Sequence, residues 1–433
     1  MHLIPPAALF AILVLLPATP RAQRTIDFSG TWTMDLARSE SSQQGTSVKP
    51  VTFVITQMPT QVRIETTRGE RIENILYPLG RARAAAAASS AAHPEAYWEG
   101  DRLVTETQRP VNGYTVTVKE SSIVTDFSDS DPQVLGPLNC RPPSVNACVY
   151  YVAKALLDPG LPPNSGAFRP LEVITRPGTL LEVEHPGAVC NANIITTQRI
   201  VDVLLGAFLK ITPERVCAAC SGTMNLLNIG GRDPRSGSLF NYIETYGGGQ
   251  GALVDRDGTS AVQNHMTNTR NAPVEVIEST YPLLVRGYGL VPETAGSGKF
   301  RGGYGMKRII EILGDRVTLT LSSDRFELAP WGIFGGGSAL PGSCIIVRPD
   351  GSEEPLGSKV TCPVEKGSRL NIVTPGGGGR DNPYERAPES VRQDVVDGLL
   401  STQTALDGYG VVFNQDLTVN EAGTAAQRLK SRS

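Results

Sequence analysis

The 433-residue sequence predicts an α+β protein in which a small antiparallel β-domain over residues 27–120 precedes a β-rich α+β region over residues 121–433. Three observations carry that reading. Apolar and polar residues alternate at Val51/Phe53/Ile55, Val62/Ile64 and Tyr114/Val116/Val118, so each segment turns one face inward as a half-buried strand does. Strand-like runs recur late in the chain, at Lys307 to Leu313, Val317 to Leu321, Cys344 to Val347 and Leu370 to Val373. The 45 glycines and 32 prolines, set against few long helical stripes, favour short strands joined by loops.

Residues 1–22 read as a secretory leader. The apolar run Ala7 to Leu16 is too short to span a bilayer and precedes a small-residue stretch ending near Ala22, so no membrane span is expected after leader removal. Export, to the periplasm or beyond, follows from that reading; a misassigned start and a cytoplasmic protein is the other. Phe28-Ser-Gly30-Thr-Trp32 then opens the β-domain, and its Gly-x-Trp spacing resembles the start of lipocalin-like barrels. Gly80 to Ala92, rich in alanine and serine without an apolar stripe, predicts a loop, with His93 on the surface. Near Ser121 the pattern changes inside one strand-like run, with no Pro/Gly linker, which marks a seam between the two regions.

Beyond the seam, Val149/Val152/Ala153/Leu156 and Ile200/Val203/Leu204/Ala207/Phe208 have helical spacing, the second stripe capped by Thr196 or Thr197. Asn271-Ala-Pro273 predicts a helix start, with Asn271 as cap and Val274 and Ile277 facing inward. Ala387 to Leu400 reads as a short helix, Ser401 starts another and Asn420 caps a polar one at the C-terminus.

Net charge is −3, and no basic stripe interleaved with aromatics exists, which argues against a nucleic-acid or anionic-membrane partner. The seven cysteines are an odd set. Cys217-Ala-Ala-Cys220 has the spacing of a redox pair or half a zinc site, but no second such pair or neighbouring histidine cluster completes it in sequence; the plainer reading is two small residues packed before Ser221-Gly222. Outside the leader only His93, His185 and His265 offer imidazoles, so no metal ligand is assigned. There is no P-loop, no dinucleotide fingerprint and no Gly-x-Ser-x-Gly elbow.

The chemistry concentrates between Tyr242 and Glu275. Gly247, Gly248 and Gly249 follow a strand-like Asn241 to Thr245 and form either a ligand cradle or a tight packing turn. His265, Thr267, Asn268, Thr269 and Asn271 then gather donors and acceptors. Tyr-x-Glu-Thr-x-Gly-Gly-Gly followed by His-Met-Thr-Asn-Thr-x-Asn-x-Pro-Val-Glu resembles the hydantoinase B and 5-oxoprolinase family, which includes acetone carboxylase large subunits. Asp126 to Val134, Gln198 to Asp202, Ser221 to Asn225, Phe300 to Gly305 and Thr374 to Gly379 agree with it in order. The resemblance covers roughly Ile123 to the C-terminus and matches the family's C-terminal half.

That resemblance implies a subunit for ATP-dependent hydrolysis of cyclic amides such as 5-oxoproline or N-methylhydantoin, with ATP handled by a hydantoinase A-type partner, and a chain incomplete and inactive alone. The family's metal site belongs to the half that is missing here, and no cofactor is expected on this chain itself. An exported, non-enzymatic lipocalin-like binding protein is the alternative. Within the constellation, His265 is assigned as hydrogen-bond donor or acid/base toward the amide carbonyl, Glu244 as its orienter, and Asn225 and Asn268 with the Gly247 to Gly249 loop as substrate binders, Arg270 standing nearby. The competing reading is a buried network that stabilises the glycine loop.

Overall fold

The computed structural model describes residues 122–160 and 162–430 in full and, between residues 30 and 119, the backbone of seven strands. The leader, the Gly80 to Ala92 tract, His93 and Ser121 lie outside the described residues. The chain divides into two units.

In the first unit, β1 (Gly30–Thr33), β2 (Val51–Met58), β3 (Gln61–Arg68) and β4 (Arg71–Pro78) form a four-stranded antiparallel sheet in sequence order. The strands β5 (Glu95–Glu99) and β6 (Arg102–Glu106) make an antiparallel pair. Next, β7 (Thr115–Lys119) pairs antiparallel with β8 (Ser122–Asp126), which pairs in parallel with β9 (Leu171–Ile174). A parallel pair needs a long crossover, and α1 (Pro142–Leu157) with the short α2 (Ser165–Phe168) supplies it. Prolines at the first turn of α1 occupy positions whose amide protons have no helical partner, and its buried stripe includes Val145, Val149, Val152, Ala153 and Leu156. Tyr150 stacks on Phe168 with ring centroids 4.3 Å apart.

The second unit is built on two antiparallel sheets. One runs in the order β11 (Leu239–Thr245), β10 (Leu226–Arg232), β14 (Asp315–Ser322) and β17 (Lys359–Val364). The other runs β12 (Leu283–Leu290), β13 (Met306–Ile312), β18 (Arg369–Val373), β15 (Ser343–Val347) and β16 (Glu353–Leu356). Period-2 alternation makes the core: Leu227 and Ile229, Leu319 and Leu321, Ile310 and Ile312, and Leu370 and Ile372 all enter one buried cluster. The strands expected at residues 307–313, 317–321, 344–347 and 370–373 are all present, within one or two residues at each end. No helix of the described residues is long and apolar enough to cross a membrane.

Helix ends depart from expectation in two places. A π-helical turn (Ala192–Thr196) leads directly into α3 (Thr197–Phe208), so neither threonine caps it: Thr196 Oγ1 donates to the Leu138 carbonyl and Thr197 Oγ1 to the Asn193 carbonyl. Pro273, not Asn271, precedes α4 (Val274–Thr280); Asn271 Nδ2 instead donates to the Thr245 carbonyl at 2.9 Å, tying its loop to the end of β11. At the C-terminus, α5 (Pro388–Val396), α6 (Thr402–Tyr409) and α7 (Glu421–Lys430) follow the expected order. Ser401 Oγ accepts from the Thr404 amide and Asn420 Oδ1 from the Gly423 amide, both as caps.

Candidate functional site

Four segments of the second unit converge at His265. The helix α3 brings Gln198 and Asp202, the loop before β10 brings Cys217 to Asn225, the loop after β11 brings Gly247 to Gly251, and a polar loop brings Asn264 to Thr267. Backbone and side-chain bonds lace them together. Gln198 Nε2 donates to the Asn264 carbonyl and to Thr267 Oγ1, at 3.0 and 2.9 Å. The Ser221 amide donates to the Gly249 carbonyl at 2.9 Å, and Asn264 Nδ2 reaches the same carbonyl at 3.4 Å.

At the centre is a buried ion pair. Arg325 Nη2 lies 2.7 Å from Asp202 Oδ2, and the two side chains are 3% and 2% exposed. The other oxygen, Oδ1, lies 3.6 Å from His265 Nε2 and accepts from the Cys220 amide at 3.3 Å. His265 has φ of 51°, in the left-handed region where a non-glycine residue is strained unless its surroundings hold it. Gly222, at φ +64°, passes the pair so closely that a Cβ there would sit 2.8 Å from Asp202 Oδ2 and 3.0 Å from Arg325 Nε.

The imidazole is also brought to the cysteine pair. The Sγ atoms of Cys217 and Cys220 and a ring nitrogen of His265 all lie within 4.8 Å of one another. Burial pushes against a charged imidazole, but the Asp202 carboxylate 3.6 Å away and the neighbouring Cys217 outweigh it and hold His265 above its ordinary value. Burial likewise works against the Asp202 carboxylate, yet His265 and Arg325 together keep its pKa below the usual range. The hydrogen bond from Cys220 brings the Cys217 thiol down to about 7 against burial, with His265 assisting, while the same bond and burial push Cys220 well up.

The residues assigned from sequence separate into groups. Glu244 is not beside the imidazole: its carboxylate accepts from Tyr242 Oη, from the Ala272 amide at 2.9 Å and from Arg308 Nη2 at 3.3 Å, in the core under β11. Asn225, buried with φ of 49°, donates to the Tyr246 carbonyl at 3.0 Å and accepts from Ser323 Oγ at 2.7 Å, which fixes a turn. Asn268 and Arg270 are exposed.

The glycine motifs form a backbone stack. A Cβ on Gly249 would overlap the Gly303 carbonyl oxygen and the Gly377 amide nitrogen, and one on Gly248 would overlap the Ser221 side chain. Hydrogen bonds run through the layers, from the Gly303 amide to the Gln250 carbonyl at 2.8 Å and from the Gly377 amide to the Gly303 carbonyl at 2.9 Å. Of the two readings open for Gly247 to Gly249, the packing turn is therefore the one observed. The motifs at Gly247 to Gly249, Gly302-Gly303 and Gly376 to Gly379 share one steric cause: neighbouring backbone, or at Gly248 the Ser221 side chain, lies within 3 Å of where each Cβ would stand and leaves no room for side chains.

Arg325 lies outside every motif read from the sequence, and Asp202, which closes the Gln198 to Asp202 motif, is given no role there. The available signal is an acid set on the apolar stripe of α3, between Val201 and Val203, which must be paired if it is buried.

A family model described as hydantoinase B/oxoprolinase matches residues 77–383, a stretch that begins upstream of Ser121. An uncharacterised protein of Methanocaldococcus jannaschii is 38% identical over 296 residues, covering 68% of this chain and 51% of that protein. The putative B component of a D-/L-hydantoinase from a Pseudomonas species is 32% identical over 309 residues, covering 69% of this chain and 51% of its own length. This chain thus spans about half the length of both relatives. The crystal structure of an ATP-dependent caprolactamase from Pseudomonas jessenii shares the fold, with a TM-score of 0.65 at 24% identity, over 75% of this chain and 60% of the other.

Proposed function

This chain belongs to the hydantoinase B/oxoprolinase family, and on that premise we propose that it acts as a B-type component in ATP-dependent opening of cyclic amides of the oxoproline or hydantoin type. The nucleotide chemistry falls to an A-type partner, since this sequence carries no P-loop. His265 serves as hydrogen-bond donor and acid/base toward the amide, and Asp202, not Glu244, orients it. The observation that carries this reading is the buried Arg325, Asp202 and His265 chain, with contacts of 2.7 and 3.6 Å. Such a chain fixes an imidazole and favours its protonated form, as proton donation to a leaving nitrogen requires.

The deciding assay combines the purified chain with an A-type partner of the same family, ATP, and 5-oxoproline or N-methylhydantoin. Ring opening that needs both polypeptides and ATP is expected, with the chain alone inactive. Absence of ATP-dependent ring opening in every combination defeats the proposal.

A second reading rests on the antiparallel meander from β1 to β4. In it, residues 27–120 are a lipocalin-like binding module of an exported protein. Cell fractionation with N-terminal sequencing separates the two: a mature chain beginning near Gln23 outside the cytoplasm supports export, and Met1 retained in the cytosol counts against it.

A further inference from the structure

We propose that Cys217, Cys220 and His265 form a binding site for one thiophilic divalent cation, zinc in the first instance. The sequence supplied only half such a site, because the histidine lies 45 residues beyond Cys220 along the chain; the fold brings it in. Two thiolates and an imidazole are the ligand set zinc prefers, and three protein ligands leave a fourth position open.

The geometry needs little adjustment. Bond lengths of about 2.3 Å at a tetrahedral centre set two sulfurs about 3.8 Å apart. The three donor atoms here already lie within 4.8 Å of one another, so closing on an ion asks for movements of about an ångström at side-chain ends. Both cysteines are free thiols.

The surroundings suit an ion. The Gly251 amide donates to Cys220 Sγ at 3.3 Å, a bond that strengthens when the sulfur carries negative charge. Asp202, 3.6 Å from the imidazole, stands where a metal-bound histidine commonly keeps a carboxylate, and it is itself held by Arg325. Cys220 is fully buried and Cys217 half-buried, so the cluster is closed at Cys220 and partly exposed at Cys217.

The inference does not depend on the proposed ring-opening reaction, because ion binding is measured without turnover. In the loaded protein the imidazole is committed to the ion, and the proton-transfer role assigned to it belongs to the metal-free form. The experiment uses the full-length chain, kept reduced and stripped with a chelator. Zinc is titrated in competition with a chromophoric chelator, and cobalt(II) is titrated separately and followed by absorption. One ion per chain is expected, with a sulfur-to-cobalt charge-transfer band in the near ultraviolet.

Cys217→Ser should abolish that band and weaken zinc binding by tenfold or more. Cys190→Ser, at an exposed cysteine remote in sequence, should leave both unchanged. Because Cys220 is sealed in the core, the half-buried Cys217 is the better test of ligation; circular dichroism establishes that its variant is folded. Failure of the reduced wild type to compete for zinc overturns the proposal. So does an undiminished cobalt band in folded Cys217→Ser.

Discussion

Arg325 and Asp202 meet at 2.7 Å although 123 residues separate them in sequence, and both side chains are almost wholly buried. The pair anchors everything around His265: one carboxylate oxygen takes the guanidinium, and the other faces the imidazole and the Cys220 amide. Removing the carboxylate charge strands a buried cation. Asp202→Asn should therefore cost about 3–5 kcal/mol of stability at neutral pH, read by urea unfolding. The pH dependence has a fixed sign. Asp202 has a folded-state pKa below its ordinary 3.8, so its contribution is complete above that value and lost as pH falls through the folded pKa. The gap between wild type and variant should shrink on acidification; a gap that widens would contradict the arrangement.

The glycine stack predicts a sharp positional contrast. Gly249→Ala forces a methyl group into the backbone of Gly303 and Gly377, whereas Gly357→Ala meets nothing within 4 Å. Overpacking of side chains costs about 1–3 kcal/mol, and a clash with fixed backbone belongs at or above the upper end. Thermal melts of the two variants check this. Similar melting points for both would mean that the layers are not in contact.

His265→Gln separates chemistry from folding. Loss of an acid/base group lowers the rate of the complemented complex by roughly a hundredfold or more, with little change in the unfolding midpoint. If the imidazole only stabilises its loop, the variant keeps its rate and loses about 1 kcal/mol instead. Rate and unfolding measured on one preparation decide between these outcomes.

Thiol reactivity should divide by burial. Cys140, Cys148 and Cys344 are sealed in the core, and burial pushes each thiol up to about 12. Alkylation at pH 8 followed by peptide mass spectrometry should label exposed Cys190 quickly and these three only after denaturation. Rapid labelling of Cys140 or Cys148 in the native protein would place α1 elsewhere.

Five second-unit strands, β11, β13, β14, β15 and β18, were legible because their signal is local. Alternation with period two at Val317 to Leu321 or Leu370 to Val373 states which side chains face inward, whatever the strands pair with. The same rule shows why Glu244 misleads when read by proximity to the glycine loop. Tyr242, Glu244 and Tyr246 are buried at alternate positions, with Ile243 exposed between them, and this sets the carboxylate in the core against Arg308.

By itself, then, the sequence determined the α+β class of the second unit, the positions of five of its nine strands and the family, since these follow from residue patterns along single segments. Tertiary structure decided what the motifs do. It packed the glycines of three separate segments backbone to backbone, and it chose Asp202 over Glu244 as the neighbour of His265. It also carried the imidazole to Cys217 and Cys220. The physical reason is that such contacts join residues tens to more than a hundred positions apart. No periodicity records them, and only burial, which forces each polar group to find a partner, brings them together.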